Sequence, residues 1–141
     1  MRRFVHILPD ILMIPTTKLR RFADKRGYLV ENTDPAIMTG SKHILFTTTA
    51  PGIVRGNHYH EHKIEWFCII KGKCRYVTEN IKTKKREEKI ITEFDDVLFQ
   101  TVPFIAHAME NVGDTEMIFL GLVNEVLDKK NPDTYPYPVI K

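Results

Sequence analysis

Short apolar runs alternate with turn signals at nearly even spacing from residue 43 to residue 124. The run His43–Thr49 is rich in β-branched residues and stops just before the turn pair Pro51-Gly52. A second run, 64–70, passes through Lys71-Gly72 into a third at 74–78, which predicts a hairpin. Further runs follow at 89–92, 97–102, 106–111 and 116–124. Because no gap between them leaves room for a crossover helix, the pattern predicts an all-β sandwich or closed barrel.

The segments on either side of this core have different patterns. Residues 16–32 predict one or two further strands around a turn at 24–27, and the apolar segment 4–14 predicts an edge or exchanged strand. The end of the chain carries three prolines and predicts an extended surface strap. We therefore expect a single domain in three parts, with N-terminal strands and an arm at 1–42, a barrel core at 43–124 and the strap at 125–141.

The charge of the chain is concentrated in one place. Of its 141 residues, 43% are hydrophobic and 28% charged, which argues against disorder, and 21 Lys and Arg against 18 Asp and Glu give a formal net charge of +3. Five basic and two acidic residues lie in the stretch 82–89, so the rest of the chain holds 16 of each sign. A general basic face for nucleic acid is therefore excluded. If this predicted hairpin tip lies at the barrel mouth, its charge could steer an anionic ligand inward.

The sequence also argues against a membrane-spanning protein and against a secreted protein. The longest apolar runs have about seven residues, whereas a membrane-spanning helix needs roughly 20. Pro9 and Asp10 interrupt the apolar N-terminal stretch and no small-residue cleavage site follows, which argues against a signal peptide. Cys68 and Cys74 lack the spacing of a zinc ribbon and predict two reduced thiols. We expect a cytoplasmic protein without a membrane partner.

Three of the six histidines, His58, His60 and His62, fall within five residues. Because side chains alternate along a strand, His58 and His60 point to the same face and can share one ion. Glu65 follows at the start of the next apolar run, and His107 lies on another predicted strand. Imidazoles with a carboxylate form a mixed nitrogen and oxygen site that suits Zn²⁺, Fe²⁺, Mn²⁺, Ni²⁺ or Co²⁺. By proximity alone, His62 competes with Glu65 as a ligand.

The spacing of these residues resembles the two cupin motifs. The positions that match the first motif are Gly52, His58, His60, Glu65 and Gly72. The positions that match the second are Pro103, His107 and Asn111, with Val97 where a glycine usually stands. The resemblance implies a cupin double-stranded β-helix, which is a jelly-roll barrel, with one divalent metal ion, first of all Zn²⁺. The ligands that it implies are His58, His60, Glu65 and His107, and it favours Glu65 over His62.

A closer resemblance covers residues 43–135. The segments that carry it are 54–60, 63–67, 110–114, 123–125 and 131–135. They resemble the C-terminal domain of bifunctional capsular-polysaccharide enzymes that remodel UDP-4-keto-6-deoxy-N-acetylhexosamines. In that family the cupin domain is a zinc-dependent C3 epimerase, and a separate N-terminal domain performs an NADPH reduction. The segment 22–28 also resembles deoxysugar 3,5-epimerases and 3,4-ketoisomerases.

The implied reaction removes a proton beside a ketone and returns it to the opposite face, so it needs a residue that carries the proton. Lys63 is a candidate, because the positive charge of a nearby metal ion lowers the pKa of an ammonium group. Alternatively, Lys63 pairs with Glu61 or with a substrate phosphate. His62 is the second candidate, and the less favoured ones are Tyr59 and Tyr76.

A nucleotide-sugar substrate carries a diphosphate, which guanidinium groups bind well. Arg55 is best placed because it lies close to the histidine cluster, and Arg26 and Arg75 are further candidates. Trp66 could stack on a uracil ring or lie in the core. Asn57 could hydrogen-bond a sugar hydroxyl or cap a turn.

The sequence therefore predicts a metal-dependent epimerase or isomerase in surface-polysaccharide biosynthesis. The predicted enzyme acts next to the carbonyl of a UDP-linked 4-keto-6-deoxy hexose and inverts the configuration at C3. One alternative is a 3,4-ketoisomerase, which moves the carbonyl, and another is a non-catalytic sugar-binding or regulatory cupin. We expect a homodimer, since small cupins often pair by strand exchange and the segment 4–14 would suit this.

Overall fold

The computed structural model describes residues 14–141 of the chain. These residues form one short helix, α1 (Pro35–Gly40), between the third and fourth of twelve strands. The strands are β1 (Thr16–Lys18), β2 (Arg20–Asp24), β3 (Gly27–Glu31), β4 (His43–Thr49), β5 (Val54–Tyr59), β6 (Glu65–Lys71), β7 (Lys73–Asn80), β8 (Arg86–Thr92), β9 (Val97–Thr101), β10 (Ile105–Asn111), β11 (Met117–Val123) and β12 (Tyr135–Pro136). Apart from Ile14, the strand predicted at 4–14 lies outside the described residues, so strand exchange and the homodimer stay predictions.

Two antiparallel five-stranded sheets face each other. One has the order β1-β9-β6-β11-β4 and the other the order β12-β5-β10-β7-β8. From β4 to β11 the chain changes sheet at every step except between β7 and β8, which form a hairpin. This alternation makes a jelly-roll barrel, so the predicted all-β fold class is confirmed. Strands β2 and β3 form a separate hairpin around the predicted turn at 24–27.

The hairpin predicted across Lys71-Gly72 is wrong. Strand β6 pairs with β9 and β11, whereas β7 pairs with β8 and β10 in the opposite sheet. Two apolar runs joined by a glycine look alike in sequence whether the chain folds back beside itself or crosses to a facing sheet. Gly72 marks such a corner, where a Cβ would lie only 3.1 Å from the Met117 Cα of β11.

The helix α1 lies where the hydrophobic pattern predicts no element. Pro35 begins it, and the Asp34 carboxylate caps it by accepting the Ala36 N–H at 2.9 Å. Six residues are too few to show a helical apolar period in the sequence. The helix buries Ile37 against the outer face of the β1-β9-β6-β11-β4 sheet.

The space between the sheets holds a continuous apolar core. Its buried members are Ile14, Phe67, Ile69, Cys74, Tyr76, Ile91, Phe99, Met109, Met117 and Phe119. Cys68 and Cys74 are both buried and free of disulfides, and burial raises the pKa of Cys74 to about 12. Within the described range, no helix has the length and apolar character that crossing a membrane requires.

Arg21 fastens the β2–β3 hairpin to the barrel. Its guanidinium donates two hydrogen bonds to the Asp96 carboxylate, at 2.7 and 2.8 Å, and one to the Glu93 carbonyl at 2.9 Å. It also lies over the Tyr28 ring, 4.0 Å from its centroid. The hydrogen bonds from Arg21 lower the pKa of Asp96.

We expect the Asp96→Asn variant to be less stable than the wild type at pH 7, by a margin that shrinks on acidification. Because the folded-state pKa of Asp96 is depressed, its contribution is present above the ordinary aspartate pKa of about 4 and is lost as the pH falls through the folded value. Asparagine tolerates the positive φ of 51° at this position. Urea unfolding at pH 7 and pH 3 checks this, with exposed Asp114→Asn as the control; a margin independent of pH would contradict the assignment.

Candidate metal centre

Two paired strands place the first two predicted ligands. Strands β5 and β10 run antiparallel, with His58 directly opposite His107. A β-bulge at Asn57 shifts the register, so that Gly56 lies opposite Ala108. Gly56 has a φ of 94°, and a Cβ there would lie 2.8 Å from the His107 carbonyl oxygen. Only glycine therefore allows the two strands to approach this closely beside the histidine pair.

The other two predicted ligands reach the same point. His60 follows the end of β5, and Glu65 begins β6. The ligand atoms of all four residues lie within 4.8 Å of one another, and the Nε2 atoms of His60 and His107 each lie 3.2 Å from Glu65 Oε2. Ligands about 2.0–2.1 Å from a tetrahedral zinc ion lie about 3.4 Å apart. The spacing therefore fits one shared ion.

Two buried atoms of this cluster lack a hydrogen bond. Neither His60 Nε2 nor Glu65 Oε2 makes one among the described residues, although 3.2 Å separates them. Buried polar atoms without a partner are rare and costly, and a cation between them would satisfy both. Three imidazole nitrogens with one carboxylate oxygen are a donor set that suits a zinc-type ion. The cluster thus fits the metal that the sequence predicts.

The charge states of the cluster also suit metal binding. Burial raises the pKa of Glu65, but the contacts with His107 and His60 outweigh burial and hold that pKa well below its usual range. Burial, together with the charges of His107 and His60, lowers the pKa of His58 to about 4. At neutral pH Glu65 is therefore an anion and His58 is neutral, and these are the forms that bind metal ions.

Sequence reasoning missed two residues with buried polar atoms, and the first of them, Asp133, contacts the cluster. The Asp133 carbonyl lies 2.5 Å from His60 Nδ1, and its carboxylate accepts the backbone N–H groups of residues 61–63. Thr47 on β4 has a buried hydroxyl without a hydrogen bond among the described residues, and it lies opposite Phe119 of the core. The segment 131–135 carries part of the family resemblance, but no sequence signal indicates a contact between residues 73 positions apart.

Arg55 and Asn57 lie on the strand that carries His58, and both have protein partners. The Arg55 guanidinium donates to the Thr49 hydroxyl at 2.9 Å and to the Thr48 carbonyl at 2.8 Å, so its partners are neutral. The Asn57 side chain makes three hydrogen bonds with the backbone of residues 139–140. Asn57 therefore holds the C-terminal segment against β5.

Two other predicted phosphate ligands form ion pairs with carboxylates. Arg26 lies at the tip of the β2–β3 hairpin, 2.5 Å from Asp24, and its side chain is 84% exposed. Arg75 lies on β7 and donates to Glu88 at 2.6 Å and to Glu110 at 3.0 Å. The structure does not bring either of them into the four-residue cluster.

The three aromatic candidates have distinct surroundings. Trp66 follows Glu65 along β6, so it points to the opposite, outer face, where it packs beside α1. Tyr59 stacks on a tyrosine of β12 with ring centroids 5.2 Å apart. Tyr76 is fully buried, its hydroxyl pairs with that of Thr101, and burial raises its pKa well above the usual range.

The two candidate proton carriers differ in exposure. Lys63 is buried, and its Nζ donates to the Pro132 carbonyl at 2.6 Å. The His62 side chain is 69% exposed, with its Nδ1 3.6 Å from an Asp133 carboxylate oxygen. Only Lys63 is enclosed by protein.

The tip of the β7–β8 hairpin lies at the end of the barrel that holds the cluster. The Ile81 N–H donates to the Phe104 carbonyl, and the Phe104 N–H donates to the His60 carbonyl at 2.8 Å. The Lys82 ammonium lies over the Phe104 ring, 4.1 Å from its centroid. The tip residues 82–85 therefore lie at the end where their charge can act on an approaching anion, whereas residues 86–89 of the predicted tip belong to β8.

The chain resembles known proteins over most of its length. A family model described as the polysaccharide biosynthesis C-terminal domain matches residues 22–135. A UDP-2-acetamido-2,6-beta-L-arabino-hexul-4-ose reductase of Pseudomonas aeruginosa is 39% identical over 113 residues, which make up 80% of this chain and 30% of that protein. The chain thus spans less than a third of the length of this curated relative.

Solved structures give the same picture. The capsular polysaccharide assembling protein CapF of Staphylococcus aureus is 28% identical, with a TM-score of 0.67 over 86% of this chain and 34% of that one. The match to the RmlC 3,5-epimerase of Legionella pneumophila covers 93% of this chain and 76% of that one, with a TM-score of 0.77. Because the two sequences are only 13% identical, this match shows the fold alone. The curated relative is named as a sugar-nucleotide reductase, which agrees with the prediction of an enzyme. Since the family model matches residues 22–135, well over half of the chain, and includes the four clustered residues, the chain belongs to the family of polysaccharide biosynthesis C-terminal domains.

Proposed function

We propose that the chain is a zinc-dependent epimerase that inverts C3 of a UDP-linked 4-keto-6-deoxy hexose in surface-polysaccharide biosynthesis. The observation that carries this proposal is the convergence of three imidazoles and the Glu65 carboxylate. Two buried atoms of this cluster, His60 Nε2 and Glu65 Oε2, lack hydrogen bonds among the described residues. The relative of Pseudomonas aeruginosa is named for a hexul-4-ose, which supports a ketosugar as the class of substrate.

Epimerisation beside a ketone needs a site that tolerates negative charge on the ketone oxygen. A zinc ion held by His58, His60, Glu65 and His107 would supply a Lewis acid for that oxygen. The chain provides the surroundings, since the rings of Phe67 and Tyr76 lie 6.2 and 6.3 Å from the His107 ring and exclude water below the cluster. In such a site of low dielectric constant, interactions between charges are stronger than in water.

We assign the proton transfer to Lys63 rather than to His62. Lys63 is buried and lies two residues before Glu65 in the chain. The Pro132 carbonyl holds the Lys63 amine in place. His62 projects into solvent beside Asp133. A base has to reach the proton that it removes, and an enclosed side chain next to the cluster meets this requirement better than an exposed one.

Arg55 is the residue that we assign to the diphosphate. Its hydrogen-bond partners are a hydroxyl and a carbonyl, so its positive charge is not neutralised by them. Arg26 and Arg75, in contrast, are paired with carboxylates. The positive tip around Lys82 lies at the cluster end of the barrel and would add a favourable potential for an anion.

The test is solvent exchange. Incubating the zinc-loaded protein with a UDP-4-keto-6-deoxy-N-acetylhexosamine in deuterated water should place deuterium at C3 with inversion, as followed by NMR. A chelator should stop the exchange and added Zn²⁺ should restore it. Lys63→Met should slow exchange by roughly 10²–10⁴-fold, the usual contribution of a general base, while His62→Gln changes it little.

Other results would point elsewhere. Migration of the carbonyl from C4 to C3 would make the chain a 3,4-ketoisomerase. Absence of exchange with both UDP- and dTDP-linked ketosugars would refute both enzymes and favour a sugar-binding or regulatory cupin. Equal rates for Lys63→Met and the wild type would leave the epimerase standing but remove Lys63 from its mechanism.

A further inference from the structure

The C-terminal strap, residues 125–141, returns to the loop that joins the second and third ligands. Asp133 is the residue of the strap that meets this loop, and it is only 6% exposed. One carboxylate oxygen accepts the Glu61 N–H at 2.8 Å. The other accepts the N–H groups of His62 and Lys63, each at 3.0 Å. A single carboxylate therefore binds three of the four residues between His60 and Glu65.

The same residue also contacts a ligand directly. The Asp133 carbonyl oxygen lies 2.5 Å from His60 Nδ1. A carbonyl can only accept, so Nδ1 must carry the proton, which leaves the Nε2 lone pair of His60 directed at the Glu65 side of the cluster. Asp133 has a φ of 48°, a conformation that aspartate and asparagine tolerate better than most residues.

A second attachment holds the strap on the other side of the ligand pair. Asn57, which directly precedes His58, accepts the N–H groups of Val139 and Ile140 at 2.9 and 3.0 Å and donates to the Ile140 carbonyl at 2.9 Å. Its own carbonyl accepts the Tyr137 N–H at 2.7 Å. The strap is therefore fixed next to both His58 and His60, and it cannot shift without disturbing the strand that carries them.

We propose that Asp133 is a positioning residue of the metal centre. Its carbonyl selects the Nδ1–H tautomer of His60, and its carboxylate fixes the loop that sets the distance from His60 to Glu65. Asp133 supplies none of the four ligand atoms. This inference rests on the metal site proposed above, because a positioning role has meaning only if the cluster binds an ion. Partners of this kind typically change metal affinity by roughly 10–100-fold when they are removed.

The test compares Asp133→Asn with Asp128→Asn in the zinc-loaded full chain. Asp128 lies five residues earlier, is exposed, and caps the Lys130 N–H. Competition with a chromogenic chelator should show Zn²⁺ affinity lowered roughly 10–100-fold in Asp133→Asn and unchanged in Asp128→Asn. Thermal unfolding in EDTA separates folding from positioning: a purely structural residue would lower the stability of the metal-free protein and leave its Zn²⁺ affinity unaltered, which would overturn the proposal.

A second measurement needs no variant. In ¹⁵N-histidine-labelled wild type loaded with Zn²⁺, the imidazole nitrogen shifts of His60 should show Nδ1 protonated and Nε2 bound to the metal ion. An Nε2–H tautomer would overturn the proposal, whether or not Asp133→Asn folds. A wild-type chain that binds no Zn²⁺ would refute the metal site and the positioning role together. If the wild type binds Zn²⁺ and Asp133→Asn binds it with the same affinity, only the positioning role is refuted.

Discussion

His58→Ala is expected to remove measurable zinc binding from a chain that otherwise folds normally. His58 would supply one of the four ligand atoms that the described residues bring together. Even changes behind the ligands typically cost roughly 10–100-fold in affinity, so the loss should exceed about 100-fold. In the wild type, zinc at about 100 times its dissociation constant adds about 2.7 kcal/mol to the free energy of unfolding. Thermal unfolding with and without Zn²⁺ should show this gain only for the wild type.

The matched control is His62→Ala. His62 belongs to the same histidine cluster in the sequence, yet its side chain projects into solvent. The His62→Ala variant should retain the zinc content of the wild type and should be stabilised by Zn²⁺ to the same extent. Equal zinc content in His58→Ala and the wild type would contradict the ligand assignment, and loss of zinc from His62→Ala would show that the ion lies elsewhere on this loop.

Gly56→Ala is expected to destabilise the barrel more than Gly52→Ala does, although both variants replace one hydrogen by a methyl group. The left-handed backbone at φ 94° disfavours alanine by roughly 1–2 kcal/mol. The new Cβ would also lie 2.8 Å from the His107 carbonyl oxygen and 3.1 Å from the Ala108 Cα, and such overpacking costs typically about 1–3 kcal/mol. Urea unfolding should therefore show a loss of about 2–5 kcal/mol.

Gly52→Ala isolates the backbone part of this effect. Gly52 also has a positive φ, 78°, but a Cβ there would meet nothing within 4 Å. Its loss should stay at about 1–2 kcal/mol. Since Gly56 sets the distance between the strands of His58 and His107, only Gly56→Ala should also weaken zinc binding. Losses of equal size in the two variants would show that the close approach at Gly56 is not under steric control.

A local rule finds part of the cluster in the sequence, and the family resemblance implies the rest. The alternation of side chains puts His58 and His60 on one face, and the spacing to Glu65 and His107 resembles a family pattern. The same alternation places Trp66 on the face opposite to Glu65, so the outer position of Trp66 follows from the reasoning that located the ligands.

Features that depend on distant partners could not be read in this way. The corner at Gly72 looks like a hairpin until the pairing of β6 and β7 with other strands is known. Asp133 reaches its three N–H partners across 70 to 72 positions, and Asn57 turns out to bind a segment more than 80 positions away. In each case the partner is chosen by the tertiary fold, which short-range patterns do not encode.

The most direct test of the metal centre is a crystal structure of the zinc-loaded protein with anomalous data collected on both sides of the zinc absorption edge. We predict one anomalous peak per chain, about 2.0–2.2 Å from Nε2 of His60, from one ring nitrogen each of His58 and His107, and from the Glu65 carboxylate. A structure in which His58, His60, Glu65 and His107 are ordered and no anomalous peak lies between them would contradict the account.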